Sequence, residues 1–452
     1  MTQTPAPIVA PSRLGWWVET FYAIAILALL VRVGILFFEN GYLPQPFFFE
    51  PGDTFMDWYN SAYWARDPGA YDSWRTIYPP LTFVVLRLIG IDSCYASNEG
   101  LPSRDCDWVG IAAILFFFVI NIILCFLTFH KIDRRTAVQR TIALGLGMPM
   151  LFALERGNVL LLTFPCMLLA FAPLLKSARL RWLAAGLAIN FKVYLVAAFA
   201  VQIIKRRWRW TEGAAIATIG VYLLSYIAYG AGSPIEIYKN IYNYSSGFVA
   251  SQVLDIYYSV TYQPLTSLLS GMSFPIMSVV GSDVTEIGLL VITIITRVGQ
   301  GMILIALVAC SIRPKPISPI RLAGLGMCLA LISSEAGGYT QIMVMLFVFM
   351  ERWKGIALPI ALVCCYVLAL PGEIVIGLTP QIWRESWLSE ELVQINIGVG
   401  LGFFLRPGLL VLIGIALAAT TIRDVWLEIE RRGWSNRLPH RAALPAAPAP
   451  TA

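Results

Sequence analysis

The chain has 452 residues, 58% of them hydrophobic and 13% charged, with a mean hydropathy of +0.70. A soluble domain carries about 25% charged residues, so the composition excludes an ordinary soluble fold and points to a polytopic helical membrane protein. The net charge of +6 includes no basic run interleaved with aromatics in an aqueous domain, so nucleic acid is not expected as a partner; the two histidines, His130 and His440, sit beside basic residues, which argues against a histidine-bound metal or a histidine base.

Crossing ~30 Å of hydrocarbon takes about 20 helical residues, and lipid offers no partner for backbone groups, so such runs must be helices. Residues 1–15 read as a cytoplasmic tail. The apolar run 16–38 lacks a small-residue cleavage site and reads as a retained first span. An outer loop, 39–107, follows. It contains "GDTFMDWYNSAYWARDPGAYDSWRTIYPP" (52–80), crowded with Tyr and Trp and carrying Asp53, Asp57, Asp67 and Asp72. Within it, 77–91 is too short for a span and reads as re-entrant or interfacial. Basic clusters at 130–135, 176–181, 205–209, 313–321, 351–354 and 423–432 mark cytoplasmic loops.

Placing all six clusters inside gives further spans at 108–130, 212–230, 286–311, 355–371 and 395–422. It also gives hairpins over 140–175 and 321–350, with outer tips "ERGN" (155–158) and "EAGGYT" (335–340). A single crossing between the second and third clusters would put the third outside. The stretch 182–204 therefore reads as two short helices broken near "INFK", a form tolerated where it lines a polar cavity. Residues 231–285 form a second large outer loop, and the Pro/Ala-rich 431–452 a disordered cytoplasmic tail. The expectation is an all-α transmembrane domain over 16–430, with about ten full spans and re-entrant elements besides. Cys94 and Cys106 lie in the first outer loop at a spacing that permits closure, so a disulfide is expected there.

With this orientation the polar residues gather on the outer face: Asp53, Asp57, Asp72, Glu155, Arg156, Asn158, Lys192, Gln263, Glu335 and Tyr339. Ionisable groups at membrane depth are costly and therefore functional candidates. Each also has a plainer role. Asp53 suits the N-cap of the helix that follows, and Asp57 favours its positive end. Glu155 and Arg156 suit a local ion pair, and Glu335, before two glycines, a second acid. Lys192, alone between apolar segments at a helix break, suits contact with a bound anion. Trp58, Tyr59, Tyr71 and Trp74 suit either sugar faces or an interfacial belt.

The order Asp53, "YD" (71–72) and "YPPL" (78–81) resembles the start of the polyprenyl-phosphate-sugar-dependent glycosyltransferases of the type C (GT-C) superfamily. The nearest set is glycosyltransferase family 87, the membrane α-mannosyltransferases. "RGN" (156–158) is similar to that family's "RGQ", "AAGLAINFKVYL" to its "GLA…K" before a basic "KRRWR", and "YQPLTSLLSG" to a later polar segment. The resemblance covers roughly the first half of the chain. Asn158 stands where the family more often has Gln, and Tyr194 or Leu195 where a Pro usually follows the Lys, which leaves donor and acceptor open.

The resemblance implies a GT-C-like bundle of about 10–13 transmembrane and re-entrant helices with outer-face loops. It implies an inverting transfer of a sugar, mannose by family default, from a polyprenyl-phosphate donor to a lipid or glycan acceptor, with Asp53 as the base. Lys192 and Arg156 would bind the donor phosphate, and Asp57 and Glu335 are further acids. Glu155, Asn158, Tyr59, Tyr71, Tyr78, Gln263 and Tyr339 complete the expected substrate-binding set. No cofactor is expected; a divalent ion shared by Asp53 and Asp57 is the disfavoured option. The implied setting is a bacterial inner membrane with the site on its periplasmic side and membrane lipids around it. A lipid-linked glycan polymerase or ligase, and a transporter or flippase of lipid-linked sugars, are the alternatives.

Overall fold

The computed structural model describes residues 13–48, 51–96, 100–246, 258–263, 281–378, 382–389, 391–396 and 398–434. The expected tails, and the parts of the second outer loop at 247–257 and 264–280, fall largely outside the described residues. In chain order the helices are α1 (Arg13–Asn40), α2 (Met56–Trp64), α3 (Pro80–Leu88), α4 (Leu101–Cys106), α5 (Trp108–Ile132), α6 (Ala137–Gly145), α7 (Met148–Arg156), α8 (Leu160–Phe171) and α9 (Ala178–Phe191). They continue as α10 (Val196–Ala200), α11 (Trp208–Tyr229), α12 (Pro234–Ser246), α13 (Ser282–Ile312), α14 (Pro319–Ser333), α15 (Gln341–Phe349), α16 (Ala357–Leu368) and α17 (Gly402–Arg432).

Six helical units are long and apolar enough to cross a membrane: α1, α5, α6 with α7, α11, most of α13, and α17. Four other apolar helices expected as spans, α8, α14, α15 and α16, have 12, 15, 9 and 12 residues. At 1.5 Å per residue even α14 reaches only ~22 Å, so fewer helices are long enough to cross a membrane than the sequence reading expects. These short helices are the most buried part of the molecule, with Phe164, Leu325, Phe347 and Phe349 in its core. The long helices ring them. On α1 a single stripe of Glu19, Ala23 and Ile26 is buried, while Trp17, Phe21, Val31 and Ile35 stand exposed. A helix apolar on all sides thus packs along one face only, and α5, α11 and α13 do the same.

Two features position the site. The chain breaks at Lys192, which is extended (φ −143°, ψ 109°) between α9 and a 3₁₀ turn, Val193–Leu195. Helix α3, capped by Pro79 with Pro80 in its first turn, spans roughly 14 Å and packs against α2, α9 and α11.

At the opposite end, Glu19 is fully buried and closes a network. Arg140 meets its two oxygens at 3.0 and 2.8 Å, and Trp353 Nε1 and Tyr366 Oη donate to the same carboxylate at 2.5 and 2.8 Å. Arg140 also donates to the Phe349 and Glu351 carbonyls, tying α1, α6, α15 and α16 together.

The all-α expectation needs one correction. The residues between the expected spans 355–371 and 395–422, and the first residues of the latter, instead contain β1 (Val375–Leu378), β2 (Ile382–Glu385), β3 (Leu392–Ile395) and β4 (Gly398–Gly400). Strand β1 pairs antiparallel with β4, and β2 with β3, as two nested two-stranded ribbons. The β-branched residues Val375, Ile376, Ile382, Val393 and Ile395 carry that preference.

Candidate functional site

The site starts from the end of α7. Gly157 closes that helix in the left-handed region (φ +61°), and a Cβ there would approach Phe55 Cα to 3.0 Å. Glycine therefore both caps the helix and lets the acid-bearing loop close on it. The Phe55 amide then donates to the Glu155 carbonyl at 2.8 Å, which sets the first turn of α2 against Arg156. The Arg156 guanidinium spans two acids, with Nη1 3.3 Å from Asp53 Oδ2 and Nη2 3.0 Å from Asp57 Oδ1. Asn158 Nδ2 donates to the other Asp57 oxygen at 2.6 Å, while its own Oδ1 accepts from the Leu160 amide. The guanidinium thus bridges the two carboxylates.

The loop carrying Asp53 is held from the far side. Cys94 and Cys106 are joined by a disulfide that makes α4 part of a braced unit. From α4, Arg104 Nη1 donates to the carbonyls of Pro51 (2.6 Å) and Thr54 (3.2 Å), which flank Asp53. The cysteines are 12 residues apart, and a cross-link closing a loop of that size is worth about 3 kcal/mol. Cys94→Ser should lower the stability of the purified protein by about that much. Thermal unfolding in detergent should then no longer respond to a reducing agent.

A cavity of about 580 Å³ opens beside these acids. Asp57 and Arg156 line one wall; Lys192, Tyr78 and Tyr339 line another. Lys192 is 7% exposed, and its ammonium makes no hydrogen bond or ion pair among the described residues. Its ammonium lies 5.2 Å from the ring centroids of both Tyr78 and Tyr339, so ring faces rather than an anion hold it. Burial first, and then the charge of Asp57, keep the Tyr78 phenol well above its ordinary range, so it stays a neutral donor. Trp64 and Trp74 stack at 5.8 Å to form a further aromatic wall. Val196, 45% exposed, also lines the cavity, so its apolar side reaches the surface of the bundle.

Several expected site residues lie elsewhere. Asp53 is not among the cavity-lining residues; it sits on the shared guanidinium with its side chain 36% exposed. Glu335 does line the cavity, but its carboxylate accepts five hydrogen bonds, from the amides of Val260, Thr261, Ala336 and Gly337 and from the Thr261 hydroxyl. That makes it a loop organiser rather than a spare acid. Glu335→Gln should cost about 2 kcal/mol, the scale of hydrogen bonds to a charged group, and limited proteolysis near Tyr258–Gln263 should speed up.

Tyr59 is fully buried and donates to the Asp107 carbonyl at 2.7 Å, while Tyr71 donates to the Tyr78 carbonyl at 2.8 Å. Both are structural rather than cavity-lining. Glu155 borders a separate apolar cavity with Phe37, Leu43 and Trp387, because its position on α7 points away from the one Arg156 faces. Asn158 orients Asp57 from behind, the Gln263 backbone N–H donates to the Thr261 hydroxyl oxygen at 3.2 Å, and Asp72 is exposed away from the cavity.

The sequence reading missed two contributors. Arg75 lines the cavity from a left-handed backbone conformation (φ +48°), which a non-glycine residue holds only when its surroundings impose it. The stretch 234–246, read as loop, is helix α12. One face of α12 carries Ile237, Asn240, Ile241 and Tyr244, a spacing visible in the sequence. Asn240 Nδ2 clamps the Tyr71 and Thr76 carbonyls at 2.9 and 3.1 Å. Comparison of the chain with protein-family models, curated proteins and solved structures found no match, so the functional reading rests on these residues.

Proposed function

We propose that the chain is a polytopic membrane glycosyltransferase that moves a sugar from a polyprenyl-phosphate donor to a lipid or glycan acceptor. The observation that carries this reading is Lys192: a buried ammonium with no ion pair among the described residues, in a cavity it shares with two carboxylates, two guanidinium groups and an aromatic wall. A buried charge without a partner is costly, and a phosphate monoester or diester supplies what it lacks. The apolar side of the cavity, reaching the bundle surface at Val196, suits the isoprenoid tail. The ordered motifs of the first half of the chain support the same class. The exposed apolar faces of α1, α5, α11 and α13 support a lipid surround. The disulfide at the acid-bearing end and the six basic clusters at the other support an extracytoplasmic site in a bacterial inner membrane.

In this reading the acceptor hydroxyl attacks the anomeric carbon while the bond from that carbon to the phosphate oxygen breaks. The electron pair leaves with the polyprenyl phosphate, whose growing charge Lys192 and Arg156 offset. The hydroxyl proton passes to a carboxylate. Asp57 has both oxygens engaged, by Arg156 and Asn158, and Glu335 is saturated; Asp53 Oδ1 accepts no hydrogen bond among the described residues. Asp53 is therefore the assigned base, held 3.3 Å from the guanidinium of Arg156, which itself lines the cavity. One displacement inverts the anomeric centre.

The test incubates purified protein with labelled polyprenyl-phosphate hexoses and a membrane lipid extract, and reads the product linkage by NMR. A transferred hexose of opposite anomeric configuration is expected; a retained configuration would exclude the single displacement. Lys192→Met should lower the transfer rate by about 10²–10³-fold, the scale of removing one preorganised donor to a developing oxyanion.

A further inference from the structure

A second cavity, of about 530 Å³, lies at the other end of the bundle. Helices α9 and α14 connect the two: α9 carries Arg181 into this cavity and ends beside Lys192, and α14 begins here with Arg321 and ends beside Glu335. Five cations converge on the second cavity, Lys131, Arg181, Arg321, Arg352 and Lys354, against one carboxylate, Glu351. Arg321 is already committed, to Glu351 at 2.8 Å and Asp424 at 2.6 Å, and Lys354 lies 3.9 Å from Asp424. Lys131, Arg181 and Arg352 make no ion pair among the described residues. Lys131 donates to the Pro173 carbonyl at 3.4 Å and Arg181 to the Leu175 carbonyl at 2.9 and 2.7 Å. Neutral acceptors thus hold two cations in place and leave their charge uncompensated.

We propose that this cavity binds the phosphate headgroup of an anionic phospholipid, a proposal that rests on the membrane placement above. Basic loops at a cytoplasmic surface need no ligand, and exposed Arg134, Arg206 and Arg209 fit that description. The cavity differs because its cations, drawn from three helices and the loop after α15, line one half-open volume. Its remaining wall is apolar, with Ile132, Phe171, Ile320, Met350 and Leu358. Exposed apolar side chains flank the cations along the chain, Phe126 and Leu127 before Lys131, Leu180 and Leu183 around Arg181, and Ile356 and Ile360 after Lys354. A free phosphate uses only the cations. A phospholipid uses the cations for its phosphate, the apolar wall for its glycerol and first methylenes, and the flanks for its chains.

The experiment is native mass spectrometry of the full chain in detergent, with palmitoyl-oleoyl phosphatidylglycerol and the matching phosphatidylcholine as probes. The wild type should retain phosphatidylglycerol preferentially. Arg352→Gln, at an exposed position, should weaken that preference about fivefold, the effect of one basic residue near an anionic lipid. Lys131→Gln, Arg181→Gln and Arg352→Gln together should remove it. Arg134→Gln, Arg206→Gln and Arg209→Gln together should leave it intact. A preference unchanged in the first triple variant overturns the pocket. Displacement of the lipid by millimolar inorganic phosphate overturns its assignment to a lipid. An alkaline wash of the membranes separates the two readings. A chain that stays in the pellet but shows no preference refutes the pocket alone, while a chain released by the wash refutes the membrane placement and the pocket with it.

Discussion

Asp53→Asn should lower transfer by about 10²–10⁴-fold, the range for loss of a general base, while donor affinity stays close to that of the wild type. The substitution is isosteric and keeps an oxygen facing Arg156. It removes the proton acceptor and one negative charge from a guanidinium that still has Asp57 at 3.0 Å. Single-turnover transfer and equilibrium binding of a labelled polyprenyl-phosphate sugar separate the two effects. Asp57→Asn should behave differently. It weakens the carboxylate that Arg156 and Asn158 both hold, so it should loosen donor binding as well as slow the reaction. If Asp53→Asn transferred normally and Asp57→Asn did not, the base would be Asp57, and the expectation drawn from the motif spacing would be wrong.

Glu19→Ala should destabilise the fold by about 3–5 kcal/mol, the effect of stranding one partner of a buried ion pair. Arg140 would then lie buried without a carboxylate, and Trp353 and Tyr366 would lose their acceptor. Glu19→Gln, which retains an acceptor oxygen, should cost less. Unfolding by a denaturing detergent, followed by tryptophan fluorescence, measures both. A loss below about 1 kcal/mol for Glu19→Ala would mean that the network is not closed as described.

Different parts of the molecule were legible in the sequence to different degrees. Long apolar runs, the break near Lys192, and the crowding of acids after the first span are one-dimensional signals, and they needed only composition and periodicity. Lys192 stood out because a lone lysine among apolar residues has nothing nearby in sequence to explain it. Glu335 shows the limit. Its sequence context, an acid before two glycines, is the same whether the carboxylate is spare or saturated, and the donors from Val260 and Thr261 come from more than seventy positions away. Tyr59 and Tyr71 failed similarly, since an aromatic beside an acid reads as a sugar platform until its hydroxyl is seen on a backbone carbonyl. Arg75 carried no local signal, because its exceptional feature is a backbone angle. The strand pairs were visible in the β-branched run 375–376 and its partners, but the hydrophobic composition around them favoured reading helices and loops only.

The fate of the hexose in sealed proteoliposomes tests the account most directly. The vesicles would hold purified protein, a doubly labelled polyprenyl-phosphate hexose and a lipid acceptor extract, and the measurement follows the sugar label and the isoprenoid label separately. The account predicts that the two labels part, with the sugar on a new lipid and the isoprenoid on free polyprenyl phosphate. Labels that stay together while the intact donor crosses the bilayer would contradict it and identify a transporter.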